Sequence, residues 1–312
     1  MKKAKTASTV TGWNHFWAKL WRQKYLFLMV LPGFLAVLVF CYFPMYGILI
    51  AFKDYSPVRG IMGSEWVGIQ HFQDFFKNPM ASRILKNTLV LGVYNLLWSF
   101  PAPIILALLF NELKNKHFKK FVQTVSYFPN FISVVIVAGM LTEFCSREGL
   151  FNQIIRLFGG QTTMFLLNPR YFRTIFIASG IWQTVGFGTI IYLAALSGVD
   201  PTLYDVANID GAGRWQQMVN ISLPALKPTM VILLIFSVSG ILGSDFQKII
   251  LLYNADTYSV ADVIGSYTYR EGILGARFEY TTAIGLFMSV ISFLLLSLAN
   301  AISRKVSETS LW

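Results

Sequence analysis

One polar stretch of the sequence could carry chemistry. Residues 203–224 (LYDVANIDGAGRWQQMVNISLP) place Asp205 and Asp210, two close glycines and an arginine between two long apolar runs. Catalysis is not expected, because GxxxxGK[ST], HExxH and GxSxG patterns are absent from the sequence and its three histidines are scattered. We therefore predict no catalytic, cofactor-binding or metal-binding residue in this chain, and interpret the stretch as a docking element.

The composition indicates an integral membrane protein. Of 312 residues, 55% are hydrophobic and only 13% are charged, against about 25% charged residues in soluble proteins. Several apolar runs reach the roughly 20 residues that a membrane-crossing helix needs. The net charge of +11 comes from short basic segments beside the apolar runs, as the positive-inside rule predicts, so no nucleic-acid partner is expected. Cys41 and Cys145 are interpreted as unrelated thiols, although a bridge between them stays open.

The N-terminal arm, residues 1–24, carries basic residues and no acid, which predicts a cytoplasmic N-terminus. Its apolar residues recur at i, i+3, i+4, i+7 and i+8, which predicts an amphipathic helix lying among lipid headgroups. A disordered basic tail is the alternative. The apolar residues of this face are Trp13, Phe16, Trp17, Leu20 and Trp21.

The fold class predicted from the apolar runs is all-α: a polytopic membrane protein with six transmembrane helices and both termini in the cytoplasm. The transmembrane domain covers residues 25–303 and is followed by a cytoplasmic tail, 304–312. Four lysines in Asn111–Lys120 mark that loop as cytoplasmic. The predicted spans are Tyr25–Ile50, Ile84–Phe110, Phe121–Glu143, Thr174–Leu196, Thr229–Tyr253 and Thr281–Ser303.

The polar stretch lies between the fourth and fifth spans, in a loop (200–224) predicted to be cytoplasmic. Asp200-Pro201 is a strong helix start, and Gly211 with Gly213 should end that helix in a tight turn. A second short helix should follow, stopped by Pro224 before the fifth span begins near Pro228. A compact helix–turn–helix is stiffer than a flexible linker, which favours docking to a soluble partner that moves.

This loop resembles the EAA loop of ABC importer permeases. Asp205-Val206-Ala207, Gly211 after three residues, and Ile221-Ser222-Leu223-Pro224 after nine more match its spacing, with Asp205 in place of Glu and Val206 in place of Ala. Segments around Trp66–Ile69 and Asn87–Leu89 resemble the maltose-transporter-like carbohydrate branch. The stretch 258–270 resembles a multiple-sugar and polysaccharide subgroup of that branch.

The resemblance implies a permease subunit of a bacterial cell-membrane importer for an oligosaccharide. Its implied partners are a second, homologous permease, two ATPase subunits that bind ATP and magnesium, an extracytoplasmic solute-binding protein and membrane lipid. The first helix of the loop would be the coupling helix that docks on an ATPase. The residues expected to couple are Tyr204, Asp205, Val206, Ala207, Asp210, Gly211 and Ala212.

A polar transport pathway is predicted mainly on the fifth span, where small and polar residues share one helical face: Ser237, Gly240, Ser244 and Gln247. Asp245 needs an ionic partner or a wet cavity, because an isolated charge in a bilayer is costly. A pair with Lys248 or a small-residue helix interface are the alternatives. The predicted pathway residues are Ser244, Asp245, Gln247, Trp182 and Asn95. Of these, Trp182 and Asn95 are weaker candidates, on a level with Gln183 and Trp98.

Rival functions remain at this point. The same architecture could import peptides, amino acids or phosphate. An ion-coupled secondary carrier would show an internal repeat and a midspan ionisable relay, neither of which the sequence contains. A membrane enzyme lacks a catalytic constellation.

Overall fold

The computed structural model describes residues 21–243, 245–307 and 310–311. Most of them lie in helices, which confirms the all-α prediction. The predicted surface helix of the N-terminal arm falls almost wholly outside the described residues. The chain divides into two compact units, residues 1–68 and 69–312.

The first unit contains the first predicted span. Helix α1 (Lys24–Val37) continues through a π-helical turn, Leu38–Tyr42, and a 3-10 segment, Phe43–Phe52. A small antiparallel hairpin follows, formed by β1 (Lys53–Asp54) and β2 (Glu65–Trp66) around a short helix, α2 (Gly60–Gly63). The Lys53 ammonium donates a hydrogen bond of 2.8 Å to the Ile61 carbonyl, which ties the hairpin to that short helix.

The second unit holds the remaining helices. In chain order they are α3 (Gln70–Lys77), α4 (Ala81–Ser99), α5 (Pro101–Asn111), α6 (Lys116–Tyr127), α7 (Val134–Phe144), α8 (Leu150–Leu157), α9 (Pro169–Ser197), α10 (Pro201–Ile209), α11 (Arg214–Gln217), α12 (Leu223–Ser239), α13 (Phe246–Leu252), α14 (Tyr258–Ala261), α15 (Ile264–Thr268) and α16 (Phe278–Ser307).

Within the described part of the chain, five helical stretches are long and apolar enough to cross a membrane, and a bent pair can supply a sixth crossing. The bent pair is the predicted third span, which the sequence presented as one continuous helix. In the structure α6 and α7 meet at 97°. Pro129 cannot continue the helical hydrogen bonds, and the Ser133 hydroxyl caps the first turn of α7.

The fifth span differs from the prediction at both ends. Its helix starts at Arg214 instead of Thr229 and runs through Pro224 and Pro228 to Leu242. Pro224 does not stop it, because a π-helical turn at Met218–Ser222 widens the hydrogen-bonding pattern just before the proline ring. At the other end the helix breaks after Leu242, and α13 is a separate helix.

Three apolar clusters hold the second unit together. One joins α5, α9 and α12 through Ile104, Tyr192 and Leu226. Another joins α4, α9 and α13, with Phe172 and Ile249 fully buried. The third packs α3 and α4 against α15 and α16. Helices α4, α9 and α12–α13 are therefore fixed around a shared interior.

Polar contacts pin the segment between α13 and α16 to the rest of the unit. The buried Asn87 side chain of α4 donates to the carbonyls of Ser259 and Asp262, at 3.1 Å each. Arg173 of α9 donates to the Asn87 amide oxygen at 2.8 Å. Asp262, itself buried, is paired with Arg270 at 2.8 Å. This network ties the segment that follows α13 to α4 and α9.

Candidate functional site

The polar stretch folds as the predicted first helix and turn, and its second helix continues into the fifth span instead of ending at Pro224. The Asp200 carboxylate caps α10 by accepting a 2.9 Å hydrogen bond from the Thr202 amide, and Pro201 occupies the first helical position. That amide bond lowers the pKa of the Asp200 carboxyl below its usual range. The start of α10 is therefore fixed by local chemistry alone.

The turn after α10 depends on a glycine in the left-handed region. Gly211 has a φ of 76°, which a side chain would make costly. The Ala212 amide then bonds the Ala207 carbonyl at 2.8 Å, closing the helix end. The Gln217 side chain spans the turn, donating to the Asn208 side chain at 2.7 Å and to the Ala212 carbonyl at 2.9 Å.

A second bond holds α10 against the start of the fifth span. The hydroxyls of Tyr204 and Ser222 lie 2.9 Å apart, and Ser222 is completely buried. With the bonds of Gln217, α10 is attached at two points to the helix that leads into the membrane. A displacement of α10 would therefore move that helix directly, because no flexible linker separates the two.

The outer face of α10 carries an apolar ridge. Leu203, Val206 and Ile209 recur every three residues, with 52%, 55% and 85% of their surface exposed. Exposed apolar residues in one row, with the exposed carboxylate of Asp205 among them, are typical of a protein-docking surface. Only Val206 of this ridge was singled out from the sequence, although the spacing of three was visible there.

The other predicted coupling residues fall into two groups. Asp205, Val206, Asp210 and Gly211 are exposed, whereas Ala207 and Ala212 are half-buried. Tyr204 is also half-buried and directs its hydroxyl to Ser222. Tyr204 therefore supports α10, and the exposed residues are the ones available to a partner.

A polar cavity lies between α4, α9 and the break that follows α12. It consists of two adjoining parts of about 200 and 470 Å³. The residues shared by both parts are Gly92, Asn95, Ser99, Gly240 and Ile241. Gly92 is required there, since a Cβ atom would collide with the backbone of Ile241.

Amide and hydroxyl groups supply the polar character of this cavity. The Ser99 hydroxyl donates to the Asn95 side chain at 2.6 Å. Gln183 of α9 donates to the Ile132 carbonyl at 2.9 Å, at the bend between α6 and α7. Such groups can bond the hydroxyls of a polar solute, and the structure places the predicted Asn95 among them, together with the weaker candidate Gln183.

The ion pair with Lys248 that was the alternative interpretation of Asp245 does not form. The Asp245 carboxylate caps α13 by accepting from the Lys248 amide at 3.3 Å, and no ion pair joins these two described side chains. The physical reason is the helix break at Gly243, which makes Asp245 an N-cap residue instead of a mid-helix one. Both residues line the polar cavity.

The same break divides the polar face predicted for the fifth span. Ser237 and Gly240 line the cavity, whereas Gln247 is exposed on α13 and is not among its lining residues. Ser244 lies outside the described residues. Trp182 lies on the other side of α9, against an apolar cavity of about 390 Å³ formed with α7 and α8.

No group of three potential metal ligands occurs among the residues that the structure describes. The polar cavity offers neutral donors and acceptors, one carboxylate and one ammonium group. The arrangement offers hydrogen-bonding groups to a polar solute, and its described lining residues include no nucleophile paired with a base.

Comparison with known proteins gives a family match over most of the chain. Residues 80–308 match the family described as "Binding-protein-dependent transport system inner membrane component". A polygalacturonan/rhamnogalacturonan transport system permease protein, YteP of Bacillus subtilis, is 47% identical over 94% of this chain and 92% of its own length. The protein LplB of the same organism is 43% identical over 95% and 93%.

Solved structures give the same result. A bacterial ABC transporter involved in the import of the acidic polysaccharide alginate contains a chain that superposes with a TM-score of 0.86 and 41% identity, over 94% of this chain and 99% of that one. A second structure, the alginate transporter in complex with a periplasmic protein bound to alginate pentasaccharide, gives a TM-score of 0.87 at 41% identity, over 95% and 99%.

Proposed function

Because this chain belongs to the family of binding-protein-dependent transport system inner membrane components, we propose that it imports an acidic oligosaccharide as the permease subunit of an ABC transporter. The protein is a transmembrane subunit of the bacterial cell membrane and not itself an enzyme. It works with a second permease, separate ATPase subunits and an extracytoplasmic binding protein. ATP and magnesium are bound by the ATPases.

The substrate class rests on the relatives. Polygalacturonan consists of uronic acids, and alginate is the acidic polysaccharide imported by the transporter whose solved chain is 41% identical to this one. Relatives of lower identity are permeases for arabinooligosaccharides and lactose. These names favour a saccharide over a peptide, amino acid or phosphate. YteP at 47% identity and the alginate permease at 41% identity favour an acidic saccharide.

The coupling role rests on the geometry of α10. The helix presents Leu203, Val206 and Ile209 outward. It is bonded to the start of the fifth span by Tyr204 to Ser222 and by Asn208 to Gln217. In our proposal it faces the cytoplasm and docks on an ATPase subunit. Closure of the ATPases on ATP would then move the fifth span and shift the permease between its two open states.

The transport path in this proposal is the polar cavity between α4, α9 and α12. Asn95, Ser99 and Gln183 supply neutral groups for sugar hydroxyls. Because the moving fifth-span helix forms one wall through Gly240 and Ile241, a displacement of α10 would also change the shape of the cavity. This link between the docking helix and the cavity wall is the observation that carries the mechanism.

Reconstitution tests the function. The complex, purified with its partner subunits and placed in liposomes, should show ATPase stimulation by a binding protein loaded with acidic oligosaccharides, and uptake of the labelled sugar that needs ATP. Stimulation by peptide-loaded binding protein alone would contradict the saccharide assignment. Uptake that continues without ATPase subunits and stops with an uncoupler would contradict the ABC mechanism.

Variants of the docking helix test the coupling role in the same assay. Asp205→Arg and Gly211→Pro should abolish transport while the protein still inserts in the membrane, because one reverses the exposed charge and the other destroys the turn. Asp205→Glu is the matched control and should retain transport, since it keeps the charge. Unchanged uptake in both damaging variants would refute the docking role.

A further inference from the structure

Lys248 is a buried cation without an ion-pair partner among the described residues. Only 2% of its surface is exposed, and among the described side chains no carboxylate oxygen lies within 4.0 Å of its ammonium group. The ammonium makes one polar contact with a described side chain, a long one of 3.4 Å to the hydroxyl of Ser179. It also lies 5.6 Å from the centre of the Phe176 ring.

These contacts leave the ammonium group poorly satisfied. A lysine carries three N–H donors and no acceptor, and one long bond to a neutral hydroxyl uses one of them. Burying an ammonium group is costly unless an anion and further hydrogen bonds compensate. A buried lysine held in this way is therefore suited to an anion that arrives from outside the chain.

The position of the ammonium group gives such an anion a route. Phe176, Gly180 and Lys248 all line the smaller part of the polar cavity, and a Cβ atom placed on Gly180 would lie 3.8 Å from the Lys248 Nζ atom. The absence of a side chain at Gly180 thus leaves the cavity open toward the ammonium group. Asp245 is the other charged residue that lines this cavity in the described part of the chain, and its carboxylate is engaged with the Lys248 amide at the start of α13.

We propose that the Lys248 ammonium group binds a carboxylate of the transported oligosaccharide inside the polar cavity, and so selects acidic over neutral sugars. The inference rests on the proposed function and adds the residue that recognises the charge. A uronate carboxylate would supply the missing anion, while Asn95, Ser99 and Gln183 stay available to sugar hydroxyls. A neutral sugar would leave the ammonium group unpaired, and that difference gives the selectivity.

The test compares acidic sugars with their neutral esters. The binding affinities of oligogalacturonate and of alginate oligosaccharide are each compared with that of the methyl ester of the same chain length. They are measured by saturation-transfer NMR on the full complex in nanodiscs. This measurement needs no binding protein, so selectivity of the binding protein does not enter. Uptake into liposomes is measured in parallel with each sugar, with loading of the binding protein determined separately.

In the wild-type complex the acid should bind more tightly than the ester. Lys248→Met should weaken binding of the acid by at least about tenfold, as expected for loss of a charge-assisted hydrogen bond, and leave the ester unchanged. Lys248→Arg should keep the preference for the acid. Lys86→Met removes an exposed lysine from α4 and should change the binding of neither the acid nor the ester. Lys248→Gln gives the same comparison if the methionine variant does not fold.

Two results would overturn the proposal. An acid-to-ester ratio that is the same in wild type and Lys248→Gln would show that the ammonium group does not contact the sugar. Equal loss of acid and ester binding in Lys248→Gln, with no rescue by arginine, would assign Lys248 a structural role. Failure of the wild-type complex to bind any saccharide, together with transport of another solute, would instead refute the proposed function.

Discussion

Ile209, at the end of α10, gives the most quantitative prediction for the docking surface. Its side chain is 85% exposed, so it contributes little to the fold of this chain and becomes buried only if a partner covers it. The variant Ile209→Ala removes three carbon groups, each worth about 0.8 kcal/mol when buried. Scaled by the exposed fraction of 85%, the loss on docking is about 2 kcal/mol at full burial and about 1 kcal/mol at half burial.

Such a loss corresponds to about 5- to 30-fold weaker binding of the ATPase subunits. The measurement is the affinity of the permease pair in nanodiscs for purified ATPase, by biolayer interferometry, together with the thermal stability of the permease pair alone. Affinity should fall and thermal stability should not change, because Ile209 has almost no surface buried within its own chain.

Ile273 offers a matched control. It is the same residue type and is 63% exposed, but it lies between the predicted fifth and sixth spans. With a cytoplasmic N-terminus and six spans, that loop is on the extracytoplasmic side. Ile273→Ala should leave ATPase affinity unchanged. If Ile209→Ala alters the affinity no more than Ile273→Ala does, the apolar ridge of α10 is not the docking surface and the reasoning fails.

Two further predictions concern the framework around the cavity. Gly92→Ala should lower the melting temperature of the permease and slow transport, because a Cβ atom there would lie 2.8 Å from the carbonyl carbon of Ile241. Such overpacking costs about 1–3 kcal/mol. Gly139→Ala is the control: the space around its Cβ position is open, so the melting temperature and the transport rate should not change. Arg270→Met should destabilise the protein by about 3 kcal/mol, since it leaves the buried Asp262 carboxylate unpaired.

The control for the arginine variant is Arg277→Met. Arg277 pairs with Glu271 at 2.9 Å, but 49% of the arginine side chain is exposed. An exposed ion pair contributes little to stability, so the melting temperature should barely change. Equal losses in the two arginine variants would show that the burial of Asp262 is not what makes its pair important.

The sequence predicted those features that depend on neighbouring residues. Asp200-Pro201 specifies a capped helix start, and Gly211 specifies a left-handed turn, because both effects act within a few residues. The apolar runs also predicted where the spans lie. A segment that crosses the membrane must make its backbone hydrogen bonds within itself, so a sufficiently long apolar run forms a helix whatever its neighbours are.

Irregular helical turns, and features set by packing across the unit, could not be predicted in the same way. Pro224 was predicted to end a helix. The helix continues because the π-helical turn just before Pro224 changes the hydrogen-bonding pattern at the position where the proline lacks an N–H group. The break at Gly243 made Asp245 a helix cap whose carboxylate accepts from the Lys248 amide, so that a spacing of three residues did not produce an ion pair with the ammonium group. Trp182 and Asn95 lie on different cavities because the rotation of each helix is set by packing across the whole unit.

The bonds that make α10 rigid belong to the same class. Tyr204 reaches Ser222 across the turn, and the periodicity of either segment contains no sign of that contact. The sequence did place Tyr204 in the coupling segment. The structure adds that its hydroxyl points into the protein, and that Leu203 and Ile209 are exposed beside it.

Site-specific crosslinking from α10 tests the central claim most directly. Val206→Cys, in a variant in which Cys41 and Cys145 have been replaced, gives one thiol on the exposed face of α10. We predict that a short reagent with one thiol-reactive and one amine-reactive end joins it to a lysine of an ATPase subunit. A membrane-impermeant thiol reagent should label it only in inside-out vesicles. Labelling in right-side-out vesicles, or a crosslink to the binding protein in place of the ATPase, would contradict the account.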